Sequence, residues 1–236
     1  MAPFQCGTIC NRLLAALPPD SLSRVVAKLS HFILTTKQIV QRADAPIEAV
    51  YFPASGMISL VSNLRDGMQA EVAVVGTEGM LGTSVISGAE TSFVEAIVQM
   101  PGTALRMASI DFKREIETNA PFRNIILRYN EALQAQFMQT AACNGRHGLG
   151  QRLGRWLLIA HDRADRAELL VTQEFIAMML GVHRPSITIA AGNLQRAGLI
   201  RSSGGRITVT DRAGLEAASC ECYGAVQKRF ANLLGS

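Results

Sequence analysis

The chain has 236 residues, 48% of them hydrophobic and 18% charged, with a formal charge of +4. That much apolar material excludes a disordered chain, and at about 150 residues per domain the length fits one large unit or two smaller ones. No run approaches the roughly 20 apolar residues of a membrane-spanning helix; stretches such as Phe175 to Val182 suit buried helices, so no membrane partner is expected.

The charge is unevenly spread. Residues 1–144 hold 11 Lys and Arg against 12 Asp and Glu, whereas residues 145–236 hold 12 against 7. The surplus of positive charge is therefore C-terminal, where it favours a polyanionic partner. At the other end, Leu13 to Leu17 is too short for the apolar core of a signal peptide and runs into Pro18-Pro19, which predicts a cytoplasmic location. The five cysteines, Cys6, Cys10, Cys143, Cys220 and Cys222, are odd in number and lack a secretory signal, so reduced thiols are expected rather than a disulfide framework.

From Asn11 to Leu29 apolar residues recur at helical spacing around Pro18-Pro19, which predicts two short helices. From His31 to Met107 the pattern changes to short runs rich in Val, Ile and Phe. Strands are predicted at Ile47 to Phe52, Met57 to Ser62, Glu71 to Val75, Phe93 to Met100 and Thr103 to Met107. Turns fall at Pro53 to Gly56, Arg65-Asp66-Gly67, Gly76 and Pro101-Gly102. The strands are close to continuously apolar, as in an antiparallel barrel or roll covered on both sides.

A long helix is predicted from Ala120-Pro121 to Cys143-Asn144-Gly145, with Ile126, Tyr129, Leu133, Phe137 and Ala141 forming a seam. At roughly 1.5 Å per residue it exceeds 30 Å, more than a small barrel needs. The surplus seam predicts a dimer partner; the plainer alternative is a helix lying on its own barrel. Another amphipathic helix, Arg152 to His161, buries Leu153, Trp156, Leu157 and Ala160.

Residues 172–211 carry the strongest pattern. Thr172 is placed to cap a helix whose Phe175, Ile176, Met179 and Leu180 face inward, and Gly181 stops it. Val182-His183-Arg184-Pro185 enters a second helix with Ile187, Ala191 and Leu194 as its inward stripe, ended by Gly198. Arg201 to Val209 then reads as strand, glycine turn and strand, a wing. In such a module one helix packs across the other, whose N-terminal face enters the major groove while the wing reaches phosphate. Arg184, Ser186, Thr188, Gly192, Gln195 and Arg196 are the residues expected to face DNA, with Arg206 on the wing. His183 is expected to cap the recognition helix or touch phosphate, and the helix amides beside Thr172 and Ser186 add phosphate affinity.

The segment from Thr172 to Thr210, TQEFIAMMLGVHRPSITIAAGNLQRAGLIRSSGGRITVT, resembles the helix-turn-helix and wing of the Crp/Fnr family of bacterial transcription regulators. PIEAVYFPASGMISLV (Pro46 to Val61) and EVAVVGTEGMLG (Glu71 to Gly82) are similar to the β-roll sensor of the same family. The resemblance implies an α+β chain: an N-terminal antiparallel β-roll of the cyclic-nucleotide-binding type, a long dimerisation helix and a C-terminal winged helix-turn-helix. Residues 1–118, 119–145 and 146–236 are assigned to these parts. It also implies a homodimer on a palindromic DNA duplex, with RNA polymerase as a further partner. Arg184 matches the family's guanine-reading arginine, from which a bidentate contact is expected. Pro185 stands where an acidic base reader is common and Ile189 where a later arginine falls, so the operator should differ from the best-known sites.

Cyclic-nucleotide-binding relatives hold the ligand with a glycine-glutamate pair, an arginine-hydroxyl pair and hydroxyls on the long helix. These positions are aligned with Gly79-Met80, Glu90-Thr91 and Phe137-Met138, of which only Gly79 and Thr91 conform. A carboxylate in place of the arginine turns attraction to phosphate into repulsion, of order 4 kcal/mol for unit charges about 4 Å apart at an effective dielectric near 20. No arginine lies between Arg65 and Arg106, so cyclic AMP is not expected as ligand and the effector and any cofactor stay unidentified.

Cys6 and Cys10 supply only two clustered thiols, and Cys143 falls at the end of the long helix. Cys220 and Cys222 are placed in one helix interior, where their side chains would diverge, and His31, His147, His161 and His183 show no metal spacing. No metal ligands are therefore read. Two other function classes compete with this reading, of which the first, an enzyme, is not expected. A β-roll metal-dependent enzyme would need a His/carboxylate constellation, yet the predicted roll holds one histidine. A winged helix serving protein or RNA contact would lack steep salt dependence on a palindromic duplex.

Overall fold

Asn11 fastens the start of the chain: its side-chain oxygen accepts from the Leu14 amide, and its nitrogen donates to the carbonyls of Pro53 and Gly79, both at 2.9 Å. It caps α1 (Arg12–Ala15), and Pro18-Pro19 separates this turn from α2 (Pro19–Val26). The structure is a computed structural model that describes residues 9–65, 67–164 and 168–234. Cys6, and Asp66 of the Arg65-Asp66-Gly67 turn, lie outside the described residues.

Seven strands follow: β1 (Ser30–Leu34), β2 (Ile39–Gln41), β3 (Ala49–Pro53), β4 (Met57–Asn63), β5 (Gln69–Val75), β6 (Glu95–Met100) and β7 (Gly102–Ala108), with a 3-10 turn at Thr83–Ser87. They form two sheets, ordered β1-β7-β3 and β2-β6-β4-β5. In the first sheet β7 pairs antiparallel with both neighbours, Phe32 opposite Ala104 and Phe52 opposite Leu105. Every residue of β3 is buried, which accounts for its unbroken apolar sequence.

The chain continues through α3 (Ser109–Thr118), α4 (Ala120–Arg146), α5 (Leu149–His161), β8 (Glu168–Leu169), α6 (Gln173–Leu180), α7 (Arg184–Arg196), β9 (Ile200–Ser203), β10 (Arg206–Val209), α8 (Arg212–Ala218) and α9 (Cys222–Leu234). Two compact units result. The first comprises the described residues among Met1–Leu60, Val74–Leu133 and Phe230–Ser236, and the second those among Val61–Ala73 and Gln134–Arg229. The first half of α4 belongs to one unit and its second half to the other.

In the first unit the core is aromatic. Phe122 of α4 stands edge-on to Phe112 of α3 with centroids 5.6 Å apart, and Phe52 of β3 lies 6.4 Å away. Ile126, Tyr129 and Leu133 are each no more than 2% exposed. Three of the five residues of the apolar seam expected to seat a dimer partner are thus buried within the first unit, whereas Phe137 is half-buried and Ala141 exposed.

Glu115 is the unusual member of this core: it is fully buried, accepts bonds from Lys28 and, at 2.9 Å, from Asn119, and pairs with Arg24 at 3.3 Å. Burial raises its pKa, but the Lys28 and Asn119 bonds outweigh burial and hold the carboxyl below the ordinary value. Glu115→Gln should therefore cost about 2–3 kcal/mol, under the figure for a fully buried pair because Lys28 and Arg24 are partly exposed. A carboxyl with a depressed folded pKa contributes stability above its unfolded value and loses it as pH falls through the folded one. Denaturation at pH 7 and pH 3 checks both points: the gap between wild type and variant should shrink at the lower pH.

In the second unit α5, α6, α7 and α8 enclose Trp156, Leu157, Ile176, Met179, Ile187, Leu194 and Leu215, all buried. Arg212 closes this bundle by pairing with Asp162 at 2.7 Å and Glu216 at 2.8 Å, and the Tyr223 hydroxyl donates to Asp162 at 2.7 Å.

Candidate nucleic-acid interface

The surface of interest starts from two helix caps. Thr172 accepts from the Phe175 amide at 3.2 Å and so starts α6, which Gly181 ends in a left-handed conformation. The chain then turns through 107° into α7, within the 90–120° of helix-turn-helix pairs. Pro185 sits in the first turn of α7, and His183 occupies the N-cap position. The His183 ring makes no cap bond and is exposed, so the capping role expected for it does not hold; the helix is started by Pro185 instead.

Burial separates the two faces of α7. Ile187, Ala190, Ala191 and Leu194 point inward, whereas Arg184, Thr188, Ile189, Gln195 and Arg196 are exposed and Ser186 is half-buried. A Cβ at Gly192 would meet nothing within 4 Å, so the middle of the helix is open to close approach. Several exposed side chains already have partners. Thr188 donates to Gln173 at 2.7 Å, Gln195 accepts from the Ser202 amide at 2.7 Å, and Arg196 bonds to Asn193. Arg184 stands 3.9 Å from Glu174, both well exposed.

The wing is a three-stranded sheet ordered β8-β10-β9. Gly204 and Gly205 both have positive φ, 57° and 76°, in the two-residue turn between Ser203 and Arg206, the geometry that favours glycine in a tight hairpin. Arg201 and Arg206 are exposed on it, and Arg206 lies 3.5 Å from Glu168. Arg201 and Ile189, the latter 66% exposed, are additions to the residues singled out from sequence; only their exposure marks them.

The positions aligned with a nucleotide pocket have a different character. Tyr129 fills the space beside Gly79, where an added Cβ would come within 2.6 Å of its ring and hydroxyl, and that hydroxyl donates to the Met80 carbonyl at 2.9 Å. The Met80 side chain is fully buried. Glu90 and Thr91 are on the surface, Phe137 is half-buried and Met138 is exposed, the last two in the second unit.

Cys220 lies outside any helix, between α8 and α9, and Cys222 opens α9. The expected divergence of the two thiols within one helix therefore does not arise. Both turn towards Cys143 and His147 at the end of α4. Burial pushes the Cys143 thiol up to about 12, against the pull of the Arg155 guanidinium.

A β-roll, a long helix and a winged helix-turn-helix thus follow one another along the chain. Residues 33–119 match the cyclic nucleotide-binding domain and residues 151–218 the Crp-like helix-turn-helix domain. In domain content and order the chain resembles regulators of the Crp/Fnr family. Its fold is shared with FixK2 from Bradyrhizobium japonicum, at 16% identity and a TM-score of 0.69 over 81% of this chain and 98% of that one. It is likewise similar to CLP from Xanthomonas campestris, a c-di-GMP responsive regulator, at 17% identity and a TM-score of 0.67 over 81% and 99%. A Crp/Fnr family protein from Eubacterium rectale is similar at 21% identity and a TM-score of 0.70, over 87% and 96%. No curated protein matches the chain.

Proposed function

We propose that the protein binds a palindromic DNA operator as a homodimer, laying α7 in the major groove and the wing on phosphate, under control of a signal received by the roll. The observation that carries this reading is the exposed face of α7, where Arg184, Ser186 and Thr188 occupy the N-terminal turns and Arg196 the last, continued by Arg201 and Arg206 on the wing. Arg184 is placed to give a bidentate contact to guanine, and Ile189 an apolar contact to a thymine methyl group. Thr172 and His183 lie beside helix N-termini whose amides favour phosphate. Gln195 serves chiefly to hold the wing, given its bond to Ser202.

The homodimer uses the part of α4 that its own chain leaves uncovered. Leu127, Gln134, Phe137 and Ala141 follow one another at spacings of seven, three and four and are exposed or half-exposed, with Met138 alongside. Two copies joined there would set two recognition helices about one DNA turn, roughly 34 Å, apart. The double variant Leu127→Glu, Met138→Glu should be monomeric by light scattering while keeping its helical circular dichroism. Its operator affinity should drop by roughly 100-fold or more, because the second half-site contact ceases to be intramolecular.

The sensor half is read as unresponsive to cyclic AMP, given the carboxylate of Glu90 and the tyrosine seated on Gly79. A protein that reads operators works where the DNA is, in keeping with the expected cytoplasmic setting, and RNA polymerase is its expected further partner. Selection of bound fragments from genomic DNA tests the whole reading: enrichment of a two-fold symmetric sequence, with affinity falling steeply as salt rises, supports it. Fragments with no common symmetric element, or affinity indifferent to salt, sink it.

A further inference from the structure

We infer that Cys143, His147, Cys220 and Cys222 form a structural zinc site in the second unit. The sulfur and ring-nitrogen atoms of these four side chains all lie within 4.8 Å of one another. Cys143 Sγ and Cys220 Sγ are 3.5 Å apart, as are Cys222 Sγ and His147 Nδ1. Tetrahedral zinc, with bonds of about 2.3 Å to sulfur and about 2.0–2.1 Å to nitrogen, places neighbouring ligand atoms about 3.5–3.8 Å apart. The cluster is therefore close to ligand geometry before any rearrangement.

Chain placement supports the same reading. Cys143 lies in the last turn of α4 and His147 just past its end, where the His147 amide donates to the Cys143 carbonyl at 2.9 Å, so the two side chains leave the chain four residues apart. Cys220 and Cys222 come from the α8–α9 connection, 77 and 75 residues away from Cys143 and His147 respectively. Three thiolates and one imidazole are a closed, soft donor set suited to zinc and leave no open position for a substrate.

The surroundings orient the donors. His147 turns Nδ1 to the thiols and Nε2 to the Glu221 carboxylate, 3.3 Å away; a carboxylate on the far ring nitrogen fixes the tautomer of many metal-bound histidines. Gln139 donates a side-chain N–H to Cys222 Sγ at 2.9 Å. On zinc binding the three thiols release their protons and the imidazole binds neutral, so the centre carries one net negative charge. Arg155 and Arg152 lie close enough to interact electrostatically with Cys143, and the Nε of each is buried without a hydrogen-bond partner. They supply the compensating charge. The centre would clamp the α8–α9 connection to the last turn of α4.

The test is metal analysis of the full-length chain purified under reducing conditions without chelator. One zinc per chain is expected, retained in Cys10→Ala and lost in Cys220→Ala and His147→Ala. Cobalt substitution of the wild type should add thiolate-to-cobalt charge-transfer bands and the visible bands of a tetrahedral centre, and chelation should lower the melting temperature. Wild-type protein that stays metal-free after equilibration with equimolar zinc overturns the inference whether or not the variants fold. So does full zinc content in a Cys220→Ala, Cys222→Ala double variant, or a Cys143–Cys220 disulfide in protein isolated without air.

Discussion

Arg184→Ala is expected to weaken operator binding by about 1–3 kcal/mol, roughly 5- to 150-fold, and to relax discrimination at one base pair of each half-site. Fluorescence anisotropy on the selected operator and on duplexes altered at single positions reads both effects. The side chain is exposed and its only ion pair among the described residues, with Glu174 at 3.9 Å, is between two exposed groups. Such pairs contribute between zero and about 1 kcal/mol, so the fold and the dimer should survive the change. A uniform loss across all sequences would mean that Arg184 contacts phosphate only. An unchanged affinity would remove it from the interface.

Tyr129→Ala should have the larger effect on stability, about 3–5 kcal/mol, the range for emptying a buried aromatic site. The ring is 1% exposed, lies against Gly79, stacks edge-on to Phe230 with centroids 6.2 Å apart, and its hydroxyl holds the Met80 carbonyl. Tyr129→Phe keeps the ring and leaves that carbonyl short of one donor, which should cost about 1 kcal/mol. Urea denaturation followed by circular dichroism separates the two. Calorimetry of wild type and Tyr129→Phe with cyclic AMP should show no heat of binding. Saturable binding by the wild type would show that the ring can leave the face of Gly79.

Much of the fold was legible where local periodicity and special residues agree. Thr172, Gly181, Pro185 and Gly198 mark the limits of α6 and α7, and the paired glycines mark the wing. Strands β3 to β7 show as apolar runs between turns. By contrast β2 and β8 have three and two residues, too short for any period to register. Helix α3 escaped because one of its two buried residues is the charged Glu115, whose burial depends on Lys28 from a distant part of the chain. The apolar seam of α4 was visible, but periodicity gives a face and not the surface it covers; Ile126, Tyr129 and Leu133 are buried within their own unit. The meeting of Cys143 and His147 with Cys220 and Cys222 needed the break between α8 and α9, which no cysteine spacing announces.

The bond from the Ser202 amide to Gln195 ties the end of α7 to the first strand of the wing, and the left-handed glycine pair fixes the hairpin beyond it. Helix and hairpin are thus bonded to each other in the protein alone. On the proposed mode of binding, the ordering entropy of this reading head is spent during folding rather than at the duplex. A side chain at position 195 that cannot accept the bond should betray itself as slower, looser docking at every sequence, with base preference left intact.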